Sequence, residues 1–413
     1  MVLQTILTPF VPRLTRALAL LCVGALLPLA AGAQPAAGAH LPPPLPADQA
    51  VALPSAAPAG PVSDSVLLDL REAFRRNDRA RLASLLPMAR GHALEPWAAY
   101  WALKARLEDA SALEVQDFLS RYAGTYQEDR LRNDWLLLSG KRRDWASFAA
   151  EYPRYRMRDD REVRCYAIAM DQLQGRDASR DAVAEVRRNW FGQRDADDGC
   201  LLAAGTLHQA GKLPFTDLWK KARLAMEANR PSLARAAVEL DAPDVAPLVA
   251  QIQASPIRYL TSRAGVGTRK GQELIVLALI KLAVQDADQA AAQLDAKWGV
   301  QLSPEERNWV WGVIGRQSAL NLKDGAVGHF AKVTRDKDLN DETLGWKVRA
   351  ALRQGQWRTV HHAIDAMSDE ARQDPTWAYW LARAQLAQAR GDADRVARRQ
   401  LLESIASTRG FYE

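Results

Sequence analysis

Three groups of side chains in this sequence have the residue types that acid–base catalysis or metal binding needs. Glu403 beside Ser404 offers a carboxyl for general acid–base work, provided that a groove raises its pKa and positions a substrate. Leu401, Leu402 and Ile405 flank the pair, and this spacing makes Glu403 a solvated position on an amphipathic helix. The run Asp195-Ala196-Asp197-Asp198-Gly199 begins like a calcium loop. Its glycine comes one place early, however, and Thr206 stands where a bidentate glutamate is needed, so an inter-helix turn is expected. His361 and Asp365 share one face of a predicted helix, but a metal site needs a third and a fourth ligand and none is near in sequence. No catalytic, cofactor-binding or metal-binding set is therefore assigned to this chain.

The cysteines carry chemistry of a different kind. The chain has three, Cys22, Cys165 and Cys200, and the first lies in an N-terminal segment of distinctive composition. Arg13 and Arg16 precede an apolar run from Ala17 to Ala31, after which Ala31-Gly32-Ala33 supplies small residues before Gln34. This pattern predicts a secretory signal peptide over 1–33, removed on export. The run is short for a membrane span and Pro28 interrupts it, so no stable membrane insertion is expected after cleavage. Leu21 stands where a lipoprotein site needs a small residue, so Cys22 leaves with the signal peptide. Cys165 and Cys200 remain, either as a bridge permitted by the exported compartment or as two buried thiols.

Residues 34–62 are rich in Ala, Pro and Gly, with Pro42-Pro43-Pro44 and Pro46 among them. Too little bulky apolar surface is present there to build a core, and an extended or disordered leader is expected. From Ser63 onward Leu, Ala and Trp recur at spacings of three and four, with charged and amide residues between them. The fold class is all-α. Breaks at Gly91, Gly140, Pro153, Gly175, Gly211, Pro231, Gly299, Gly355 and Gly391 fit helix ends and first turns.

A series of helical hairpins of this length stacks as an α-solenoid. Two distant segments support the repetition. Pro96-Trp97-Ala98-Ala99-Tyr100-Trp101 runs on through Lys104-Ala105 to Leu107, and Pro375-Thr376-Trp377-Ala378-Tyr379-Trp380 runs on through Arg383-Ala384 to Leu386. Proline belongs in the first turn, Asp374 suits an N-cap, and Trp and Ala four apart share a face. Glycine turns leading into Trp145-x-x-Phe148 and Trp357-x-x-Val360 are read as the other helix of a hairpin. The 13 tryptophans could stack on sugars, but spacing of this kind assigns them to the core.

Basic residues number 55 against 49 acidic, a formal charge of +6 scattered along the chain. Such a surface is mostly solvated, with some capacity to draw in a polyanion. Nucleic acid is excluded as a partner because no helix-turn-helix, zinc-finger or aromatic–basic motif accompanies the charge.

Several residues, taken in order, resemble the N-terminal part of the soluble lytic murein transglycosylase family. They are Arg223-Leu224-Ala225-Met226 after a Leu-Trp helix, Asp144-Trp145-Ala146-Ser147 with Tyr152-Pro153 behind it, and the closing Tyr379-Trp380 and Arg409-Gly410-Phe411-Tyr412. Cys165-Tyr166 and Cys200 also match the family's cysteine positions, and the resemblance thereby favours the bridge. It implies a right-handed superhelical α-solenoid, ring-like, over 63–395, and the start of a linker domain over 396–413. In the family a lysozyme-like domain follows, which cleaves MurNAc–GlcNAc bonds to 1,6-anhydro products. There a Glu-Ser pair precedes a Gly-Leu-Met-Gln segment, which this chain lacks.

The expected function is thus the non-catalytic, glycan-holding part of a periplasmic peptidoglycan-processing protein, without cofactor, whose glycan-contacting residues the sequence does not name. A secreted tetratricopeptide-like scaffold for a protein partner is the alternative. An autonomous glycosidase would require paired carboxylates in one groove.

Overall fold

Every regular element among the described residues is helical, as the periodicity predicts. The computed structural model describes residues 63–406, apart from 194, 263, 264 and 266. The chain groups as two units, Met1–Gly60 and Pro61–Glu413, and the second holds all the described residues. The expected signal peptide, the leader and Arg409-Gly410-Phe411-Tyr412 lie outside them.

Helix starts follow local chemistry. Ser111 and Ser303 each open a helix with a reciprocal capping box, closed by Glu114 and Glu306. Asp374 caps the helix Pro375–Ala387 through a 2.8 Å bond from Thr376 N, with Pro375 in the first turn as expected. Its sequence counterpart, Glu95–Lys104, is shorter. The chain tightens there into the turn Leu107–Asp109, which leaves Ala105 just past the helix end.

Hairpins stack along the chain to form a superhelical α-solenoid. Glu95–Lys104 packs on Tyr126–Arg142, which packs on Arg161–Leu173, which packs on Asp198–Gln209. A second series runs from Phe215–Glu227 to Arg269–Gln285, Pro304–Leu320 and Asp341–Arg353. Trp145–Glu151 and Trp357–Asp365 lie against the helices that precede them, as expected of second hairpin helices. Arg269–Gln285 is apolar on all sides from Leu274 to Ile280, each residue at most 2% exposed, which makes it a central helix covered by neighbours all round. The final described helix, Asp392–Ile405, continues across position 395 and packs on Pro375–Ala387. No helix among the described residues is long and apolar enough to cross a membrane.

All 13 tryptophans are buried or half-buried. Trp190, Trp219 and Trp298 are among the largest fully enclosed side chains. Aromatic bulk is what fills the space between stacked hairpins.

One expected break is wrong in position. Gly140 does not end its helix: Tyr126–Arg142 runs through it, and Arg143 takes the left-handed turn instead, at φ 60°. Gly140 is there for close approach, since a Cβ would stand 2.5 Å from Cδ2 of Tyr166 on the next long helix. Tyr166 cannot swing aside, because its hydroxyl donates to Asp198 at 2.7 Å. Alanine is the better helix former by about 1 kcal/mol, yet here the clash wins. Gly140→Ala is expected to lower stability by about 1–3 kcal/mol, read as a shift in the urea midpoint.

Candidate functional site

The long helices of the first series are tied together by polar side chains that reach from one helix to the next. Asp134 accepts from Tyr100 Oη at 2.8 Å and from Lys104 Nζ at 2.6 Å. Asn133 donates to Asp160, the N-cap of the following helix, at 3.1 Å. Asp198 accepts from Tyr166 Oη and also from Arg143 Nη2 at 3.0 Å, while Glu162 receives the backbone N–H groups of Asp198 and Gly199. Asp160, Glu162 and Asp198 stand at helix starts, where free N–H groups and the positive end of the helix dipole stabilise carboxylates.

Several of these residues line an open groove of about 480 Å³ that crosses successive hairpins. Arg79, Lys104, Glu108, Asp134, Lys141, Glu162, Tyr166, Asp197 and Asp198 contribute to it. The Arg143 hydrogen bond, against some burial, holds the Asp198 carboxyl below its ordinary range. Burial pushes Asp197 up to about 6, although Cys200 N donates to it at 2.7 Å. Burial, reinforced by their aspartate partners, raises the Tyr100 and Tyr166 phenols, so both act as hydrogen donors at neutral pH. Ammonium, guanidinium, carboxylate and phenol groups therefore border the groove. That is a surface able to hold a long polar ligand through many modest contacts.

A carboxyl suited by pKa to acid–base work sits elsewhere. Glu227 is pushed up to about 7 by burial. Its oxygens are occupied, accepting from Trp309 Nε1 at 2.6 Å and Arg316 Nη1 at 3.1 Å. Such a group steadies the junction between helices and offers no open face to a glycosidic oxygen.

The structure disperses the residues singled out from sequence. Glu403 is exposed on the last described helix, Asp392–Ile405. His361 Nε2 lies 3.1 Å from Asp365, and among the described residues no cluster of three or more His, Cys, Asp or Glu could hold a metal ion. The acids of the 195–199 turn are occupied separately: Asp195 faces Arg230, Asp197 caps Asp198–Gln209, and Asp198 takes Arg143 and Tyr166. Cys165 and Cys200 are joined in a disulfide, 35 residues apart in sequence, between neighbouring helices.

Sequence reading did not find the polar links. Their signal was present as charged residues within apolar helices, such as Arg132, Lys221, Arg223 and Lys281, all nearly sealed from solvent. The partners of Lys221, Arg223 and Lys281 lie far along the chain and cannot be paired by local spacing, whereas Arg132 pairs with Glu128 and Asp129 on its own helix as well as with Glu151.

Comparison with known proteins gives two curated matches, the soluble lytic murein transglycosylases of Escherichia coli K12 and of Escherichia coli O157:H7. Each is 20% identical over 356 residues, covering 83% of this chain and 53% of the relative. The chain spans about half the length of the curated relatives it matches. No family model matches. Among solved structures, an inactive mutant of the lytic transglycosylase Slt from Pseudomonas aeruginosa shares the fold at a TM-score of 0.50 and 24% identity, over 84% of this chain and 56% of that one. The 70 kDa soluble lytic transglycosylase of Escherichia coli aligns at 18% identity with a TM-score of 0.46, over the same shares. By sequence this chain is similar to the soluble lytic murein transglycosylases, and by fold to the lytic transglycosylase Slt.

Proposed function

We propose that this chain is the non-catalytic, glycan-holding solenoid of a peptidoglycan-processing protein, exported to the periplasm behind a cleaved signal peptide. In this reading the superhelical domain spans 63–395 and gives way to a linker domain from 396. It steadies glycan strands for MurNAc–GlcNAc bond cleavage by a lysozyme-like domain. The observation that carries it is the match to soluble lytic murein transglycosylases along 83% of the chain. The polar groove supports it, because a polymer of repeating hydroxyl, amide and carboxylate groups suits a surface that crosses successive hairpins. The exported chain keeps a net charge of +4, the formal +6 less Arg13 and Arg16, which favours an anionic polymer over a neutral one.

Co-sedimentation with purified sacculi tests the reading. The chain is expected to pellet at low salt and to be released as salt screens its charges. Lys141→Glu, which reverses an exposed charge in the groove, is expected to reduce the bound fraction several-fold while leaving the helical circular dichroism unchanged. Pelleting no greater than that of a control protein of equal charge sinks the reading. Saturable binding to a polypeptide with indifference to sacculi would instead establish a secreted protein-binding scaffold.

A further inference from the structure

A second pocket, of about 450 Å³, lies where Phe215–Glu227 meets the end of Arg180–Phe191 and the helix Pro304–Leu320. Phe191, Leu224 and Leu233 give it an apolar wall, while Gln193, Lys221 and Arg316 give it polar groups. The charges around it are unequally compensated. Arg316 is held by Glu227 at 3.1 Å and Glu342 at 2.5 Å, and Arg230 faces Asp195 at 3.5 Å.

Lys221 differs from the others. It is 2% exposed, its Nζ donates to the Trp190 carbonyl, and it lies 5.8 Å from the centre of the Trp190 ring. Among the described residues no carboxylate forms an ion pair with it, and Asp197 acts on it only from a distance. An ammonium sealed from water without a counter-ion is a costly arrangement. Two more buried donors on the pocket lining, Gln193 Nε2 and Arg316 Nε, have no hydrogen-bond partner. A cation without an ion-pair partner and two unmet donors beside an apolar wall suit a carboxylate attached to a small apolar body, the Glu342 carboxylate on the same lining being neutralised by Arg316. The volume matches a ligand of dipeptide size.

We infer that this pocket binds a free carboxylate on a ligand of dipeptide size, with Lys221 as its counter-ion and Gln193 and Arg316 as hydrogen donors. The apolar wall would take the adjoining side chain. Burial is what gives the pairing its strength, because Lys221 is shielded from the solvent that would screen it. The inference rests on the proposed function only for the source of the ligand, which would be the carboxylate of a stem peptide or of an acid sugar.

Isothermal titration of the full chain with N-acetyl-alanyl-alanine, with the C-terminal amide of the same compound, and with N-acetylmuramic acid tests it. The dipeptide acid is expected to bind about tenfold more tightly than its amide, the ratio that one lost charge-assisted hydrogen bond produces. Lys221→Met, close in volume and without charge, is expected to remove that preference and keep the fold. Gln193→Ala, half-buried and outside the helices, provides a milder variant expected to weaken acid binding and not amide binding. Tighter binding of the acid sugar than of the dipeptide supports the pocket and identifies its source. Equal binding of acid and amide, no binding of any of the three, or an undiminished preference in Lys221→Met overturns it. A chain that sediments with sacculi yet fails to distinguish acid from amide loses this pocket and keeps the proposed function.

Discussion

Arg223→Ala is expected to destabilise the solenoid by about 3–5 kcal/mol, the cost of stranding a buried charge. The guanidinium donates through Nε and Nη2 to Glu273, at 3.0 Å each, and through Nη1 to Glu305 at 2.8 and 3.1 Å. It also lies 5.3 Å from the centre of the Trp309 ring. One side chain thus joins Phe215–Glu227, Arg269–Gln285 and Pro304–Leu320. Glu305 is partly open and can turn to water when Arg223 is gone. Glu273, 1% exposed, cannot.

The pH dependence provides a check on that cause. Burial already holds the Glu273 carboxyl above its ordinary range, against the pull of Arg223. A folded-state pKa raised above the unfolded value means that the carboxylate costs stability at neutral pH, and that this cost disappears as pH falls through the folded pKa toward the unfolded one. Removing Arg223 raises the folded pKa further. The deficit of the variant relative to the parent should therefore shrink between about pH 7 and about pH 5. Urea denaturation at both values measures it, and a deficit independent of pH would assign the loss to packing against Trp309. Replacing Arg223 and Glu273 together by methionine should recover most of the stability.

The same cluster shows where sequence reading stops. Spacings of three and four, prolines in first turns, and Ser or Asp caps were enough to specify helices, because those forces act within one or two turns. Tryptophan burial was legible for the same reason, since a ring sharing a helical face with an alanine four residues on, as Trp380 does with Ala384, is a packing residue. Gly140 was misread because its reason for being glycine is Tyr166, on another helix. Arg143 was missed as the left-handed residue because Gly140, three residues before it, looked sufficient. The candidate groove was illegible as a whole. Tyr100, Lys104 and Asp134 meet only when one hairpin stacks on the next, and Arg223 stands 50 residues from Glu273. Polar links such as Lys104 to Asp134 at 30 residues and Asn133 to Asp160 at 27 each bridge about one hairpin, a separation that local spacing does not reveal.

Removal of the Cys165–Cys200 bridge is expected to lower stability by about 3–4 kcal/mol, the closure entropy of a loop of this size on the chain-entropy account. The bond joins Arg161–Leu173 to Asp198–Gln209, and both cysteines are fully buried. Non-covalent contacts already fix the approach of these helices. Glu162 caps the backbone N–H groups of Asp198 and Gly199, Asp197 caps Cys200, and a Cβ on Gly199 would lie 2.6 Å from the Glu162 carbonyl oxygen. The bridge therefore acts chiefly on the unfolded chain. Cys165→Ala with Cys200→Ala should keep the helical circular dichroism of the parent while its urea midpoint falls. Thiol titration of the denatured protein should find neither cysteine free before reduction and both after it. Because the sulfurs are sealed, reductant should act on the native protein only as fast as the two helices separate. Two free thiols before reduction, or a double variant as stable as the parent, would mean that the caps and the Gly199 contact hold this junction unaided.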